Sequence, residues 1–451
     1  MEKTIHIYHT NDLHSHFENW PRIALFLKER RHIHEEAGEY IFTFDIGDHV
    51  DRAHPLTEGT LGSFNVELLN KSKYDAVAIG NNEGITLPKE GLNRLYKQAK
   101  FAVLCANIFD QNGARPEWVL PYTFFQAGDV TIAVTSATAQ YTAFYEEIGW
   151  EIKDPLNELK KQVKALKKRA DLVVVLSHLG MYDDEKIAQE TEADVILGGH
   201  THHLFHEGKE VNGTLLAAAG KYGYFTGHVE IDINEETRTI CAKRARVYET
   251  NQSLKAPYDE KEQQESFMKF GKKVLSIPVV HLEKTLTSDW FKPSVLPQML
   301  TEALTEWCSA DCSFLNAGVV LGNLSAGTVT KYDIHRLLPH PINPCVIELT
   351  GAELSEVLRQ TRDENWAHMQ IKGLGFRGKV MGRFVYDRIE MDGPAFFIDG
   401  NVLDLKKTYK LATLDMFTYG HYFVGLHRAR MKTYFMPEFL RDVLEWKLLK
   451  L

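Results

Sequence analysis

Short apolar runs alternate with longer amphipathic segments over the first 250 residues of the chain. The runs are rich in Val and Ile, and several lack polar alternation, which is typical of strands that are buried on both faces. They fall at residues 4–8, 40–46, 75–79, 101–106, 130–135, 171–177 and 193–197. Helical periodicity occupies the intervals, most clearly at residues 22–34, 89–99 and 155–169. This alternation predicts a layered α/β domain over residues 1–250.

The pattern changes after this domain. Residues 254–277 are charged and rich in Gln, with Phe267, Phe270 and Val274 at helical spacing, so we assign residues 251–277 to a connecting helix. The remaining residues, 278–451, form a second domain with a mixed α/β pattern. Its predicted elements are helices at 295–307 and 352–361 and strands at 345–349, 383–391 and 409–414.

Charge and composition narrow the class of protein. The 451 residues include 52 Lys and Arg against 61 Asp and Glu, a formal net charge of −9, which argues against nonspecific nucleic-acid binding. No run approaches the roughly 18 apolar residues of a membrane span. The N-terminal residues resemble a strand and not a secretory leader. Because the five cysteines are scattered and do not suggest disulfides, we expect a cytoplasmic protein without a membrane partner.

Candidate chemistry follows five of the apolar runs at the point where each one ends. In an open α/β sheet, the loops beyond the carboxyl ends of the strands converge on one crevice. Any one of these residues could simply be a loop or capping residue, but all five positions carry Asp, Asn or His, and four of the five segments also contain glycine. We therefore predict a group of metal ligands formed by Asp12, His14, Asp48, Asn81, His178, His200 and His202.

The ligand types indicate which metals fit this cluster. Imidazole and carboxylate suit Zn²⁺, Mn²⁺ or iron, whereas Ca²⁺ prefers more oxygen ligands. Seven ligands with one bridging carboxylate fit two divalent ions about 3.5–4 Å apart, an arrangement used in phosphoryl hydrolysis. In an extended backbone, the i and i+2 spacing of Asp12 with His14, and of His200 with His202, would direct both side chains to one side.

The order of these motifs resembles the calcineurin-like metallophosphoesterases, and the segment 9–12 (His-Thr-Asn-Asp) together with the second domain resembles the 5′-nucleotidase family. The resemblance covers nearly the whole chain. It implies a four-layer αββα sandwich followed by a 5′-nucleotidase C-terminal domain. It also implies that Asp48 bridges two metals. One would be held by Asp12, His14, Asp48 and His202, and the other by Asp48, Asn81, His178 and His200.

One departure from the family pattern affects catalysis. The family has a histidine where this chain has Asn82, and an orienting aspartate where it has Ile85. The resemblance implies that this histidine assists the transition state or the leaving group, whereas Asn82 can donate a hydrogen bond but not a proton. Turnover could be slower, the substrates could carry better leaving groups, or another histidine could substitute, with His16, His49 and His203 as candidates.

The second domain carries the expected substrate contacts. In the family it grips a nucleoside between two aromatic rings, with an arginine nearby. Here Leu321 replaces that arginine, and Arg377 or Arg383 could compensate, although the loop at 372–379 could equally be a solvated one. The aromatic residues could instead be core packing. The candidate substrate-binding residues are Asn316, His340, Arg377, Tyr422 and Phe423.

These expectations combine into a functional hypothesis. The resemblance implies a phosphoesterase with two divalent metal ions, in which a metal-bridging hydroxide attacks the phosphorus of a small phosphorylated substrate. Nucleoside monophosphates are the first expectation. The alternatives are a phosphodiesterase or nucleotide-sugar diphosphatase using the same site, and a metal-dependent nucleotide-binding protein with little catalysis.

Overall fold

A computed structural model describes residues 2–373, 375–419 and 422–451. Met1, Leu374, Gly420 and His421 lie outside the described residues; Leu374 belongs to the glycine-rich loop at 372–379, and Gly420 and His421 to the aromatic segment considered for base binding. The chain forms two compact units, one ending at Gly271 and the other spanning Lys272–Leu451. Helices account for 34% of the residues and strands for 30%.

The first unit contains fourteen strands among its described residues. They are β1 (Glu2–Thr10), β2 (Tyr40–Asp45), β3 (Ala76–Ala78), β4 (Ala102–Leu104), β5 (Ile108–Asp110), β6 (Tyr122–Ala127), β7 (Val130–Thr138), β8 (Trp150–Ile152), β9 (Leu172–His178), β10 (Val195–Gly198), β11 (Lys209–Val211), β12 (Thr214–Ala217), β13 (Phe225–Asn234) and β14 (Thr239–Glu249).

Its helices lie mainly between these strands. They are α1 (Trp20–Glu36), α2 (Pro55–Thr60), α3 (Ser63–Lys71), α4 (Asn81–Thr86), α5 (Lys89–Leu95), a 3₁₀ turn (Tyr96–Gln98), α6 (Thr142–Ile148), α7 (Pro155–Leu166), α8 (Met181–Glu190), α9 (Thr250–Ser253) and α10 (Glu260–Val274), which continues into the second unit. The start of α7 shows how sequence sets a boundary, because Asp154 accepts a hydrogen bond from the Asn157 amide at 2.7 Å and Pro155 occupies the first turn.

Two six-stranded sheets form the centre of this unit. Their strand orders are β14-β13-β1-β2-β3-β4 and β11-β12-β10-β9-β7-β6. Apolar side chains of both sheets, including Ile7, Phe44, Val134 and Val174, form one buried core. Residues of α7 and α8 pack on the outer face of the second sheet. The sandwich with flanking helices expected from the resemblance is therefore confirmed.

All seven predicted strands of this unit are present, but its other seven described strands were not predicted, among them the long hairpin of β13 and β14. In β14, exposed positions alternate with partly buried ones, and its residues include Lys243, Arg244 and Arg246. This alternation is the signal for a half-exposed strand. The predicted helix at 254–277 is also shorter, since α10 begins only at Glu260, and Pro257 cannot donate a helical hydrogen bond.

The second unit is a mixed α/β domain, as predicted. Its strands are β15 (Pro278–Leu282), β16 (Cys312–Asn316), β17 (Gly327–Thr330), β18 (Pro344–Thr350), β19 (Phe384–Asp387), β20 (Ile389–Asp392), β21 (Ala395–Ile398), β22 (Asn401–Val402), β23 (Thr408–Leu414) and β24 (Lys432–Tyr434). Its helices are α11 (Val295–Trp307), α12 (Lys331–Leu337), α13 (Gly351–Gln360), α14 (Val424–Arg428) and α15 (Leu440–Leu448), with 3₁₀ turns at Ala317–Val319, Glu364–His368 and Asp415–Phe417.

A five-stranded sheet with the order β19-β16-β23-β18-β24 holds this unit together. The single strand predicted at 383–391 is wrong. Arg388 adopts a φ of 55°, and the chain turns there, so that β19 joins the five-stranded sheet while β20 joins a separate three-stranded one.

Three buried histidines of the first unit lie side by side on β1, α1 and β13. His6 Nδ1 is 3.0 Å from His228 Nε2, and the rings of His6 and His34 stack with their centroids 3.8 Å apart. Glu39 Oε2 lies 2.7 Å from His34 Nδ1 and 3.3 Å from His6 Nε2. Burial, and then the neighbouring histidine, lowers the pKa of both His6 and His228. The fold therefore favours the neutral form of His6 and His228.

This cluster predicts a loss of stability in acid. Histidine in an unfolded chain titrates near pH 6.5. Below that pH, His6 and His228 therefore bind protons in the unfolded chain but stay neutral in the folded one. The contribution of His6 and His228 to the stability of the first unit should be constant above about pH 6.5 and fall as the pH decreases. His228→Gln should make the fall shallower by up to about 1.4 kcal/mol per pH unit, measured as urea unfolding from pH 7.5 to 5.0.

The matched control is His32→Gln, because His32 is exposed and its one ion pair among the described residues is with exposed Glu36. This variant should follow the wild-type acid dependence. The interpretation would be wrong if His228→Gln also followed the wild-type curve over the whole range.

Candidate metal centre

The topology brings the predicted residues to one end of the sandwich. Strands β1, β2 and β3 are parallel neighbours in the first sheet, and β9 and β10 are parallel neighbours in the second. Parallel neighbours end at the same edge of a sheet. All seven predicted ligands lie at the ends of these five strands or in the segments that follow them, with His178 as the last residue of β9: Asp12, His14, Asp48, Asn81, His178, His200 and His202.

Asp12, His14 and His202 form the first of two side-chain groups, and one ligand atom from each lies within 4.8 Å of the others. His14 Nε2 and His202 Nε2 are 3.1 Å apart. Asp12 Oδ1 lies 3.8 Å from the former and 3.5 Å from the latter. Three donors converging in this way could hold a divalent metal ion.

Asp48, His178 and His200 form the second group, within the same 4.8 Å limit. His178 Nδ1 lies 2.8 Å from the Ile46 carbonyl oxygen, to which it donates, and this leaves Nε2 facing Asp48 Oδ2 at 3.3 Å. Asp48 Oδ2 is also 3.7 Å from His14 Nε2 in the first group. Asp48 therefore lies between the two groups, where a bridging carboxylate would have to be.

Two buried polar atoms support the fit of metal ions to these residues. Asn81 Oδ1 has no hydrogen-bond partner among the described residues, and His178 Nε2 faces the Asp48 carboxylate at 3.3 Å. An unsatisfied buried polar atom costs about 1–3 kcal/mol. Both atoms are of the type that binds Zn²⁺, Mn²⁺ or iron, so a metal ion would satisfy them.

The backbone at the site differs from the expectation of extended segments. Asp12, His14, Asp48, His200 and His202 all adopt positive φ, between 48° and 72°. For a non-glycine residue this conformation costs about 1 kcal/mol or more. The extended i and i+2 arrangement is therefore wrong. Asp12 and His14 nevertheless belong to one group, whereas His200 and His202 belong to different groups.

Glu83 connects the loops of the first sheet that reach the site. Its buried carboxylate accepts hydrogen bonds from the amides of Asp48 at 3.0 Å, Val50 at 2.8 Å and Gly80 at 2.8 Å. Burial, and then the Asp48 carboxylate, raises the pKa of Glu83 to about 7. A Cβ at Gly80 would overlap Asp48, so only glycine permits this close approach.

Asn82 does not project freely into the site. Its side-chain Nδ2 lies 2.7 Å from His14 Nδ1, and its backbone amide donates to Asp48 Oδ1 at 2.8 Å. In this arrangement Asn82 orients two of the candidate metal ligands. Its predicted catalytic role stays a prediction.

Three contacts of the candidate site were missed by sequence reasoning. The hydroxyl of Tyr141 lies 3.1 Å from His200 Nε2, and Asp51 Oδ2 lies 3.5 Å from His14 Nδ1. The third is the Glu83 carboxylate. Only Asp51 and Glu83 carry a sequence signal, since each lies within three residues of a candidate ligand.

Of the three histidines considered as substitutes, His16 is the most exposed. The ring of His16 stacks on Tyr222 with centroids 3.9 Å apart, and its Nδ1 lies 2.6 Å from Glu18 Oε1. His49 is buried against Trp20, and burial lowers its pKa to about 3. His203 Nδ1 lies 3.0 Å from Thr201 Oγ1, and burial lowers its pKa.

The predicted base-binding residues of the second unit lie mostly in its interior. His340 is fully buried, with Nε2 2.7 Å from the Val319 carbonyl oxygen and its ring stacked on Phe376. Phe423 is fully buried and stacks on Trp366 with centroids 5.1 Å apart. A base could stack on Phe423 only if Trp366 moved.

The other three predicted substrate residues differ in exposure. Asn316 is buried, and its Nδ2 donates to the Met381 carbonyl at 2.8 Å. Tyr422 and Arg377 are partly exposed. The amide of Arg377 donates to His340 Nδ1 at 2.8 Å. Tyr422 and Arg377 are thus the candidates that a ligand of this unit could reach without rearrangement.

Comparison with known proteins gives separate family matches for the two parts of the chain. Residues 5–204 match the family described as calcineurin-like phosphoesterase, and residues 274–422 match the family described as 5′-nucleotidase, C-terminal domain. The uncharacterized metallophosphoesterase YunD of Bacillus subtilis is 45% identical over 466 residues, which cover 99% of this chain and 100% of that protein. A 5′-nucleotidase of Vibrio cholerae is 26% identical over 445 residues, 83% of this chain and 79% of that protein.

A solved structure extends this likeness to the fold. The NAD nucleotidase of Haemophilus influenzae has a TM-score of 0.68 at 14% identity, covering all of this chain and 96% of that one. The chain is a calcineurin-like phosphoesterase with two domains, and it belongs to the 5′-nucleotidase family of these metallophosphoesterases. The described helices include none with the length and hydropathy of a membrane span.

The position of Asp48 between the two groups leads to a prediction about metal binding. Asp48→Asn keeps the shape of the side chain but removes the charge that faces both His14 and His178. We expect the affinity for Mn²⁺ or Zn²⁺ to fall at least about tenfold at both positions, as measured by metal content after dialysis against graded free metal. Asp183→Asn, an exposed change on α8, is the control. Full retention of metal by Asp48→Asn would contradict the assignment.

Proposed function

We propose that this chain is a metal-dependent hydrolase that uses two divalent ions to cleave nucleotide phosphate esters. The observation that carries the proposal is the pair of three-residue groups, Asp12–His14–His202 and Asp48–His178–His200, with Asp48 between them. Asn81 would complete the second group through its buried Oδ1, which has no hydrogen-bond partner among the described residues. Imidazole, carboxylate and amide ligands favour Mn²⁺, Zn²⁺ or iron.

Bound ions would supply the positive charge that balances the phosphate oxygens and would lower the pKa of an attacking water. The residues of the chain would hold and orient these ions. His178 is fixed by its bond to the Ile46 carbonyl, and Asp12 accepts the His200 amide at 3.0 Å through Oδ2. Removing a hydrogen-bond partner that holds a metal ligand in place typically lowers metal affinity or activity by about 10–100-fold.

Similarity to 5′-nucleotidases supports nucleotides as the substrate class. The match of residues 274–422 to the 5′-nucleotidase C-terminal domain and the 26% identity to a Vibrio 5′-nucleotidase both point in this direction. The buried positions of His340 and Phe423 mean that the base would have to be held differently from a sandwich of these two rings. Partly exposed Tyr422 and Arg377 are the proposed contacts.

The direct test is phosphate release from a nucleotide panel. Purified chain loaded with Mn²⁺ or Zn²⁺ should release phosphate from at least one nucleoside mono- or diphosphate, and Asp48→Asn should lose this activity by at least about a hundredfold. The measurement is initial rate by phosphate detection, with Asp183→Asn as the matched control. If no member of the panel is hydrolysed by fully metal-loaded protein, the proposed activity is wrong.

Asn82 allows the enzyme to be distinguished from a binding protein with little catalysis. If loss of a proton donor has slowed an enzyme, Asn82→His should raise kcat on substrates with poor leaving groups by at least about tenfold, because general acid catalysis contributes about 10²–10⁴-fold. Asn82→Gln keeps an amide and serves as the control. If wild type and Asp48→Asn are equally inert while nucleotide binding persists, the binding protein is the better description.

A further inference from the structure

The segment Gly220–Tyr224, with the sequence Gly-Lys-Tyr-Gly-Tyr, crosses the rim of the candidate metal centre. The Tyr222 amide donates to the Asp12 carbonyl oxygen at 2.7 Å. The ring centroid of Tyr222 lies 5.7 Å from that of His14 and 6.1 Å from that of His202. The side chains of this segment therefore border the first group of candidate ligands.

The backbone of this segment is held at several points. Asn11 Nδ2 donates to the Gly220 carbonyl at 2.7 Å, Asn19 Nδ2 donates to the Tyr222 carbonyl at 2.7 Å, and the Thr250 amide donates to the Tyr224 carbonyl at 2.8 Å. Tyr222 adopts a φ of 59°, a strained conformation for a bulky residue that persists only where the surroundings enforce it. Such strain is concentrated at ligand-binding sites.

Lys221 is a cation without a matching carboxylate. Its Nζ lies 4.6 Å from the ring centroid of Tyr222, and it has no ion-pair partner among the described residues. It is partly exposed, in a chain whose net charge is −9. A cation–π contact of this kind contributes only about 0.5–1 kcal/mol and leaves the ammonium free to bind an anion.

Asn82 independently constrains the substrate. Since it cannot donate a proton, the site suits leaving groups that depart as stable anions. A phosphate group is such a leaving group, and it would also bring a negative charge that Lys221 can bind.

We infer that Lys221 and Tyr222 form a subsite for an anionic leaving group, so that the preferred substrates carry a second phosphate next to the one that is cleaved. This inference rests on the proposed phosphoesterase function and specifies its substrate class as phosphoanhydrides such as nucleoside diphosphates. In the reaction, the oxygen of water forms a bond to the terminal phosphorus and the bridging P–O bond breaks. The bonding electron pair stays on the bridging oxygen of the departing phosphate, and the proton of water passes to solvent.

The test compares ADP, which has an anionic leaving group, with AMP, whose leaving group is neutral. Lys221→Met should raise KM for ADP about tenfold, the size expected for loss of one charge-assisted contact, and change the constants for AMP by less than about twofold. Lys221→Arg should retain most of the ADP affinity. Lys168→Met removes an exposed lysine of the same unit with no ion-pair partner among the described residues, and it should leave both substrates unaffected.

A binding measurement separates this inference from the proposed function. The dissociation constant of non-hydrolysable α,β-methylene-ADP for the Mn²⁺-loaded chain, measured by calorimetry, should rise about tenfold in Lys221→Met and stay unchanged in Lys168→Met. If the analogue binds through Lys221 but no substrate is hydrolysed, the subsite stands and the proposed activity fails. If ADP is hydrolysed but Lys221→Met changes neither KM nor the dissociation constant, the subsite is overturned.

Discussion

The hydrogen bonds of one buried carboxylate hold the candidate site together on the side of the first sheet. Glu83 binds the amides of Asp48, Val50 and Gly80, and so ties the loop after β2 to the loop after β3. Asp48 can lie between the two groups of ligands only because this connection fixes its backbone. This carboxylate is only 1% exposed, and the three amides offset part of the cost of burying it, since its pKa is still raised to about 7.

The electrostatics of the site explain how an acidic chain can act on phosphate. Its candidate ligands are carboxylates, imidazoles and an amide, and because imidazole binds a metal in its neutral form, they would provide little positive charge of their own with metal bound. Burial alone would lower the pKa of His178, but Asp48 and then Asp12 outweigh burial and raise it to about 10. The carboxylates thus favour a cation at this point, and a metal ion is the cation that the donor set fits. Five ligands at positive φ indicate that the fold tolerates strain to place them.

The sequence predicts the elements near the site better than the connections between them. Buried parallel strands such as β9 and β10 are recognisable because their apolar runs are continuous, and the residues after them fall at the site by topology alone. Left-handed turns at His200 and His202 carry no periodic signal, so the extended arrangement was expected instead. Likewise, the sequence pattern does not distinguish an aromatic residue in the core from one in a binding site. The burial of His340 and Phe423 depends on residues that are distant in sequence, such as Trp366 for Phe423.

The central claim is that two metal ions share Asp48, and anomalous diffraction from crystals of the Mn²⁺-loaded chain tests it most directly. The account predicts two anomalous peaks about 3.5–4 Å apart, one beside Asp12, His14 and His202 and the other beside Asn81, His178 and His200, with Asp48 in contact with both. A single peak, or two peaks that do not share Asp48, would contradict it.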